Sequence, residues 1–261
     1  MSATSTAGSS NATSRLSEQS MSLKIGILQT DSVLEEFQPE FGDYPAMFAD
    51  LLNSAASRLD DLSIELVVYR VAESEFTDAV SRCDGYLITG SRQSVYDDLP
   101  WIGELTDFVA QAMAANVRIV GICFGHQLLA HFFGGLTEPA AVGWSVGVHE
   151  TRVVDPQPWM QPECPEFALL SSHKDQVARL PQGARIIARS DSCPCAGFVI
   201  GERVMTLQGH PEFNKSYAAA LMGKRESLLG AEVFACGMDS LAQETHSEIV
   251  GLWILNFLCG G

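Results

Sequence analysis

The 261-residue chain carries 32 acidic against 16 basic side chains, a formal charge of −16, with 46% hydrophobic and 18% charged residues. That is enough apolar material for one sizeable core, and the negative excess argues against nucleic acid and anionic membrane surfaces as partners. Seven cysteines, an odd number without a framework spacing, do not suit the disulfide lattice of a small secreted domain; a reducing cytoplasm fits them best.

Residues 1–21, rich in Ser, Thr and Ala, hold no apolar run that could serve as a signal-peptide core and read as a disordered extension ahead of one domain over 22–261. From Leu23 short apolar runs alternate with longer amphipathic segments, the pattern of parallel strands joined by crossover helices. Strands are expected at Leu23–Gln29, Ile64–Val71, Gly85–Thr89 and Arg118–Ile122, each apolar enough to be covered on both faces. Between them, Met47, Leu51, Leu52, Ala55 and Leu59 form one helical stripe, and Ile102, Leu105, Val109, Ala112 and Met113 form another. After Gly135 the runs shorten, at Gly143–Val154, Phe167–Leu170, Ala184–Ala188, Gly197–Ile200 and Arg203–Leu207, which predicts a mixed or antiparallel extension of the sheet. Two closing helices, near Tyr217–Leu229 and Ser240–Leu258, are expected on either side of a break near Gly237. The apolar run Ile249–Cys259 is about half the ~20 residues a membrane span needs and reads as a buried helix. The fold class is therefore α/β, an open mainly parallel sheet flanked by helices.

Chemistry concentrates at two strand ends. The strand Arg118–Ile122 runs into Gly121-Ile122-Cys123-Phe124-Gly125 and then a helical pattern, the layout of a nucleophile elbow with Cys in place of Ser. Glycines two residues to either side remove side chains that would clash in so sharp a turn, and the N-terminal end of a helix favours negative charge on the sulfur. By itself the pattern also fits a small buried cysteine. The second strand end, Gln208-Gly209-His210-Pro211-Glu212-Phe213, places a histidine two residues from a carboxylate. Glu212 accepting from Nδ1–H would fix the tautomer of His210 and turn Nε2 toward a thiol. A lone His-x-Glu pair is also compatible with a surface ion pair; here it follows the elbow in the order Cys, His, Glu.

Taken together, Gly121-Ile-Cys-Phe-Gly-His-Gln127 and Gln208-Gly-His-Pro-Glu-Phe213 resemble the two signature motifs of the class I glutamine amidotransferases, over nearly the whole chain after Met21. The resemblance implies a flavodoxin-like fold. It also implies Cys123 as nucleophile forming a γ-glutamyl thioester, His210 as general base and Glu212 as its orienting group. It points to the turn Thr89-Gly90-Ser91, with amides at Gly90 and Phe124, as the oxyanion site. The family more often has two glycines and a proline in that turn, so this chain departs from the pattern there. It further implies Gln127, Ser172 and His173 as contacts of the substrate's amino-acid end, although Gln127 also fits a helix cap and Ser172-His173-Lys174-Asp175 a polar turn.

No cofactor and no metal are implied, Cys193-Pro-Cys195 being too sparse for zinc. Gly143-Trp-Ser-Val-Gly-Val-His149 and Ser172-His-Lys-Asp-Gln-Val177 look closest to a stand-alone branch similar to GMP synthase, which includes γ-glutamyl peptidases. The partner expected is glutamine or another γ-glutamyl small molecule. The resemblance leaves three readings: a glutaminase feeding ammonia to a synthase subunit, a γ-glutamyl peptidase acting on glutathione-like peptides, and a catalytically inactive binding or regulatory protein.

Overall fold

The computed structural model describes residues 21–260; of the extension expected at 1–21, residues 1–20 lie outside the described residues, while Met21 opens the first strand. The first half of the chain runs β1 (Met21–Leu28), α1 (Gln38–Phe41), α2 (Tyr44–Ala56), β2 (Leu62–Tyr69), β3 (Gly85–Ile88), α3 (Pro100–Ala114), β4 (Arg118–Ile122) and α4 (Phe124–Phe132). Strands then dominate, as β5 (Leu136–Pro139), β6 (Ser145–Val153), β7 (Glu166–His173), β8 (Asp175–Arg179), β9 (Ala184–Arg189), β10 (Gly197–Ile200) and β11 (Val204–Leu207). The described residues end in four helices, α5 (Lys215–Lys224), α6 (Glu226–Leu229), α7 (Ala231–Ser240) and α8 (Ser247–Cys259).

Among the described residues nine strands form one sheet, in the order β2-β1-β3-β4-β11-β10-β9-β6-β7. From β2 to β11 every neighbour is parallel, and from β11 to β7 every neighbour is antiparallel. The switch has a simple cause. Parallel pairs need a crossover, which α2 and α3 supply, whereas most strands after Gly135 are joined by turns without helices and pair antiparallel.

Alternate residues of the parallel strands enter two apolar layers. Ile25, Ile27, Leu87, Val120 and Ile122 pack with Phe48, Leu52 and Trp253 on the side of α2 and α8. Leu28, Tyr86, Ile88 and Ile119 pack with Phe108, Phe124 and Leu129 on the side of α3 and α4. With both faces covered, these strands read as unbroken apolar runs, and each large side chain so buried contributes ~1.5–3 kcal/mol. The expected helix at Ile249–Cys259 is α8, with Val250, Trp253, Ile254 and Leu255 fully buried.

Two features depart from the sequence reading. Gly237 does not break a helix; it lies within α7, where a Cβ would stand 2.7 Å from Met222 Sδ and 2.8 Å from Val146 Cγ2, so the residue type serves the close approach of α7 to its neighbours. The breaks fall instead at Arg225, which interrupts the expected Tyr217–Leu229 helix, at Gly230, with φ of 79°, and over residues 241–246. In addition, β5 and β8 form a small antiparallel sheet of their own. Ser172-His173-Lys174-Asp175 is thereby the corner between β7 and β8 rather than a free turn.

Candidate active site

The sharp turn between β4 and α4 holds Cys123 at φ 51° and ψ −96°. Such a conformation costs a non-glycine residue on the order of 1–3 kcal/mol and persists only where its surroundings over-determine it. Here the Cys123 N–H donates to Leu207 O at 2.9 Å, and its carbonyl accepts from the Gln127 N–H at 3.0 Å. The flanking glycines admit the turn: a Cβ at Gly121 would lie 2.7 Å from the Gly125 carbonyl, and one at Gly125 would lie 2.7 Å from Ile88 Cβ.

Because β11 pairs in parallel with β4, with Leu207 opposite Ile122, the chain leaving β11 emerges beside this elbow. The His210 N–H then donates to Leu170 O at 2.8 Å, fixing the backbone. Its Nδ1 stands 2.7 Å from Oε1 of Glu212, whose side chain is wholly buried. An ionised carboxylate only accepts, so the proton between them belongs to Nδ1. Phe213 stacks on the imidazole, with centroids 3.9 Å apart and planes 12° from parallel. Burial alone would lower the His210 pKa, but Glu212 and Cys123 outweigh it and raise it to about 10. The imidazolium is thus favoured at neutral pH, where it can stabilise negative charge on a neighbouring sulfur.

The Thr89-Gly90-Ser91 turn closes against both groups. A Cβ at Gly90 would stand 2.8 Å from His210 Cε1 and 3.6 Å from Cys123 Cβ, so no side chain fits there. Thr30 pins the turn by donating its hydroxyl to Gly90 O at 2.8 Å, and among the described residues the Gly90 N–H has no acceptor. Phe124 opens α4, so its N–H lacks an intrahelical acceptor as well.

Gln127, Ser172 and His173 line the same cleft as Cys123 and His210. Gln127 is buried, and its Nε2 donates to Asp175 O at 2.8 Å and to Gln208 Oε1 at 3.2 Å. Ser172 Oγ accepts from Arg225 Nη1 at 2.9 Å. The His173 imidazole is pushed down to about 3, by burial and then by His210, and is therefore neutral.

The cleft also brings in Ser94, Asp175, Trp144, Arg225 and Tyr44, which the sequence reading did not single out as site residues. Asp175 is buried; its Oδ2 accepts from Ser94 Oγ at 2.5 Å and its Oδ1 has no partner among the described residues. Its place two residues after His173 was the only sequence signal for it. Arg225 stands alone at the end of α5, with no pattern to mark it, and its guanidinium lies 5.5 Å from the Trp144 ring centroid. The C-x-C pair is buried, which pushes Cys193 and Cys195 each up to about 12. No group of three or more His, Cys, Asp or Glu among the described residues could hold a metal ion. No helix among them is long and apolar enough to cross a membrane.

The family model for glutamine amidotransferase class-I matches residues 47–225, which include the elbow and the His-Pro-Glu segment. The chain belongs to the class I glutamine amidotransferases. This amidotransferase is similar to gamma-glutamyl peptidase 2 of Arabidopsis thaliana, with 26% identity over 224 residues, 82% of this chain and 90% of that protein. It is also 28% identical over 191 residues to the GMP synthase (glutamine-hydrolyzing) of Aeropyrum pernix, covering 72% of this chain but only 36% of the synthase. Among solved structures, a glutamine amidotransferase from Thermotoga maritima superposes with a TM-score of 0.69 at 16% identity, over 91% of this chain and 96% of that one. At that identity the likeness speaks to the fold.

Proposed function

We propose that this amidotransferase hydrolyses γ-glutamyl amide bonds through a thioester on Cys123. The observation carrying this reading is the packing of one strained cysteine against an imidazole whose tautomer is set by a buried carboxylate. The thiolate of Cys123 attacks the γ-carbonyl carbon, and the oxyanion is met by the amides of Gly90 and Phe124, where one donor is worth about 3 kcal/mol of barrier. His210 gives its proton to the leaving nitrogen, the C–N bond breaks, and the thioester remains. His210 then takes a proton from water, whose oxygen displaces the sulfur, and glutamate leaves. Gln127, Ser172 and His173 hold the amino-acid end. Glutamine is the simplest substrate, with ammonia released to water or to a synthase subunit. Incubation of the protein with γ-glutamyl compounds, with glutamate and amine measured together, tests the proposal. Turnover that survives Cys123→Ala would refute it.

A second reading, γ-glutamyl peptidase, has its own support. The guanidinium of Arg225 lines the cleft and makes no ion pair with any carboxylate within 4.0 Å among the described residues, although the chain is strongly acidic. Peptide leaving groups carry a carboxylate that ammonia lacks. The likeness to a γ-glutamyl peptidase over 82% of this chain and 90% of that protein points the same way. Wild type should then cleave a γ-glutamyl peptide with a free C-terminal carboxylate faster than its C-terminal amide, and Arg225→Gln should reduce that preference about tenfold. An unchanged preference would favour the glutaminase reading.

A further inference from the structure

Gln208 precedes the catalytic histidine by two residues and has no place in the mechanism above. Its side chain is almost fully buried, at 1% exposure, and points to the nucleophile: Nε2 lies 3.6 Å from Cys123 Sγ. Amide oxygen and nitrogen look alike, so the direction of this contact depends on what fixes the amide. Two contacts fix it in sequence. The Asp175 carbonyl oxygen only accepts, so the Gln127 atom 2.8 Å away is its NH₂ group. The second hydrogen of that same group is directed to the Gln208 side chain at 3.2 Å, which must therefore present its oxygen. What Gln208 turns toward the sulfur is then its own NH₂. Its backbone gives it no freedom to leave, because the Gln208 N–H donates to Ala196 O at 2.9 Å.

An N–H donor held against sulfur stabilises a thiolate far more than a thiol, whose sulfur is a weak acceptor. We infer that Gln208 is a catalytic residue of this site, a neutral donor that stabilises the Cys123 thiolate, and that Gln127 is the positioning residue that keeps the donor facing the sulfur. The inference deepens the proposed thioester chemistry and rests on Cys123 being its nucleophile. It also gives Gln127 a task apart from substrate binding, since both hydrogens of its amide are engaged.

The test reads the sulfur without any substrate. The rate of Cys123 alkylation by iodoacetamide, followed peptide by peptide by mass spectrometry, is measured against pH in wild type, Gln208→Met and Gln127→Met. Methionine is close in size to glutamine and offers no donor. Loss of the donor should raise the midpoint of the alkylation profile by about one pH unit in Gln208→Met, slowing alkylation about tenfold below it. Gln127→Met should shift it the same way by a smaller amount, because the freed amide can turn its oxygen to the sulfur. Melting temperatures separate this from unfolding, and if Gln208→Met does not fold, the Gln127 variant decides alone. Midpoints within experimental error of wild type overturn the inference. Inertness on all γ-glutamyl compounds together with shifted midpoints would instead reject the proposed function and leave the role of Gln208 at the sulfur standing.

Discussion

Gly90→Ala adds a single methyl group at the one point where the turn after β3 meets both Cys123 and His210. The added Cβ would lie 2.8 Å from His210 Cε1, and ordinary contact begins near 3.4 Å, so ring or turn must yield by about 0.6 Å. The ring has little room. It is bonded to Glu212 at 2.7 Å and stacked on Phe213 at 3.9 Å, so moving it breaks one contact or compresses the other. The turn is held in turn by the Thr30 hydroxyl. Misplacement by ~1 Å of a catalytic group costs about a hundredfold in rate, so a shift of this size should lower kcat by ten- to a hundredfold. Overpacking should also cost ~1–3 kcal/mol of stability. Turnover of a γ-glutamyl anilide, with urea denaturation in parallel, measures both. Gly103→Ala is the control: nothing lies within 4 Å of a Cβ there, and as an exposed position in α3 it should gain up to ~1 kcal/mol without loss of rate. Wild-type kcat in Gly90→Ala would show that the turn does not pack against the reacting groups and would refute the geometry.

Three other outcomes follow from the same site. Glu212→Gln should lower kcat by about a hundredfold, less than His210→Ala, and move the basic limb of the rate profile to lower pH, because Glu212 helps raise the pKa of His210; identical profiles in wild type and variant would contradict this. Stability should fall as pH drops from 6.5 toward 3, because buried His126 and His173 have folded values of about 3 and the unfolded chain takes up protons they refuse. Between pH 6.5 and 5, replacing His126 with Asn should flatten the dependence of unfolding free energy by up to ~1.4 kcal/mol per pH unit, and parallel curves would count against it. His210 contributes with the opposite sign, since its folded value of about 10 lies above the ordinary one: its stabilisation is complete below pH 6.5 and is lost as pH rises toward 10. A Glu212→Gln variant should therefore lose less stability than wild type between pH 7 and 10.

Much of the fold and of the site can be read from the amino-acid sequence, for physical reasons that also explain the gaps. The parallel half announces itself because its strands are buried on both faces, and the elbow because a strand, two clash-avoiding glycines and a helix must follow one another locally. Cys123, His210 and Glu212 carry reactive groups in short, ordered segments, so each could be selected separately; that β11 lies beside β4 is what joins them. Gly237 misled because glycine serves both helix ends and close packing, and only the positions of Met222 and Val146 distinguish the two. Strands β5 and β8 are short and polar, and they form by pairing with each other rather than by an apolar pattern of their own. Asp175, Arg225 and Tyr44 reach the cleft from three separate elements, a juxtaposition that no spacing along the chain encodes.

In the proposed mechanism a covalent γ-glutamyl intermediate forms on one sulfur among seven. Treatment with an electrophilic glutamine analogue, followed by peptide mass measurement, tests it most directly. The expected result is a single adduct on Cys123, slowed by competing γ-glutamyl substrate and lost in His210→Ala. Label distributed over Cys164, Cys236 and Cys259, with Cys123 unmodified, would contradict it.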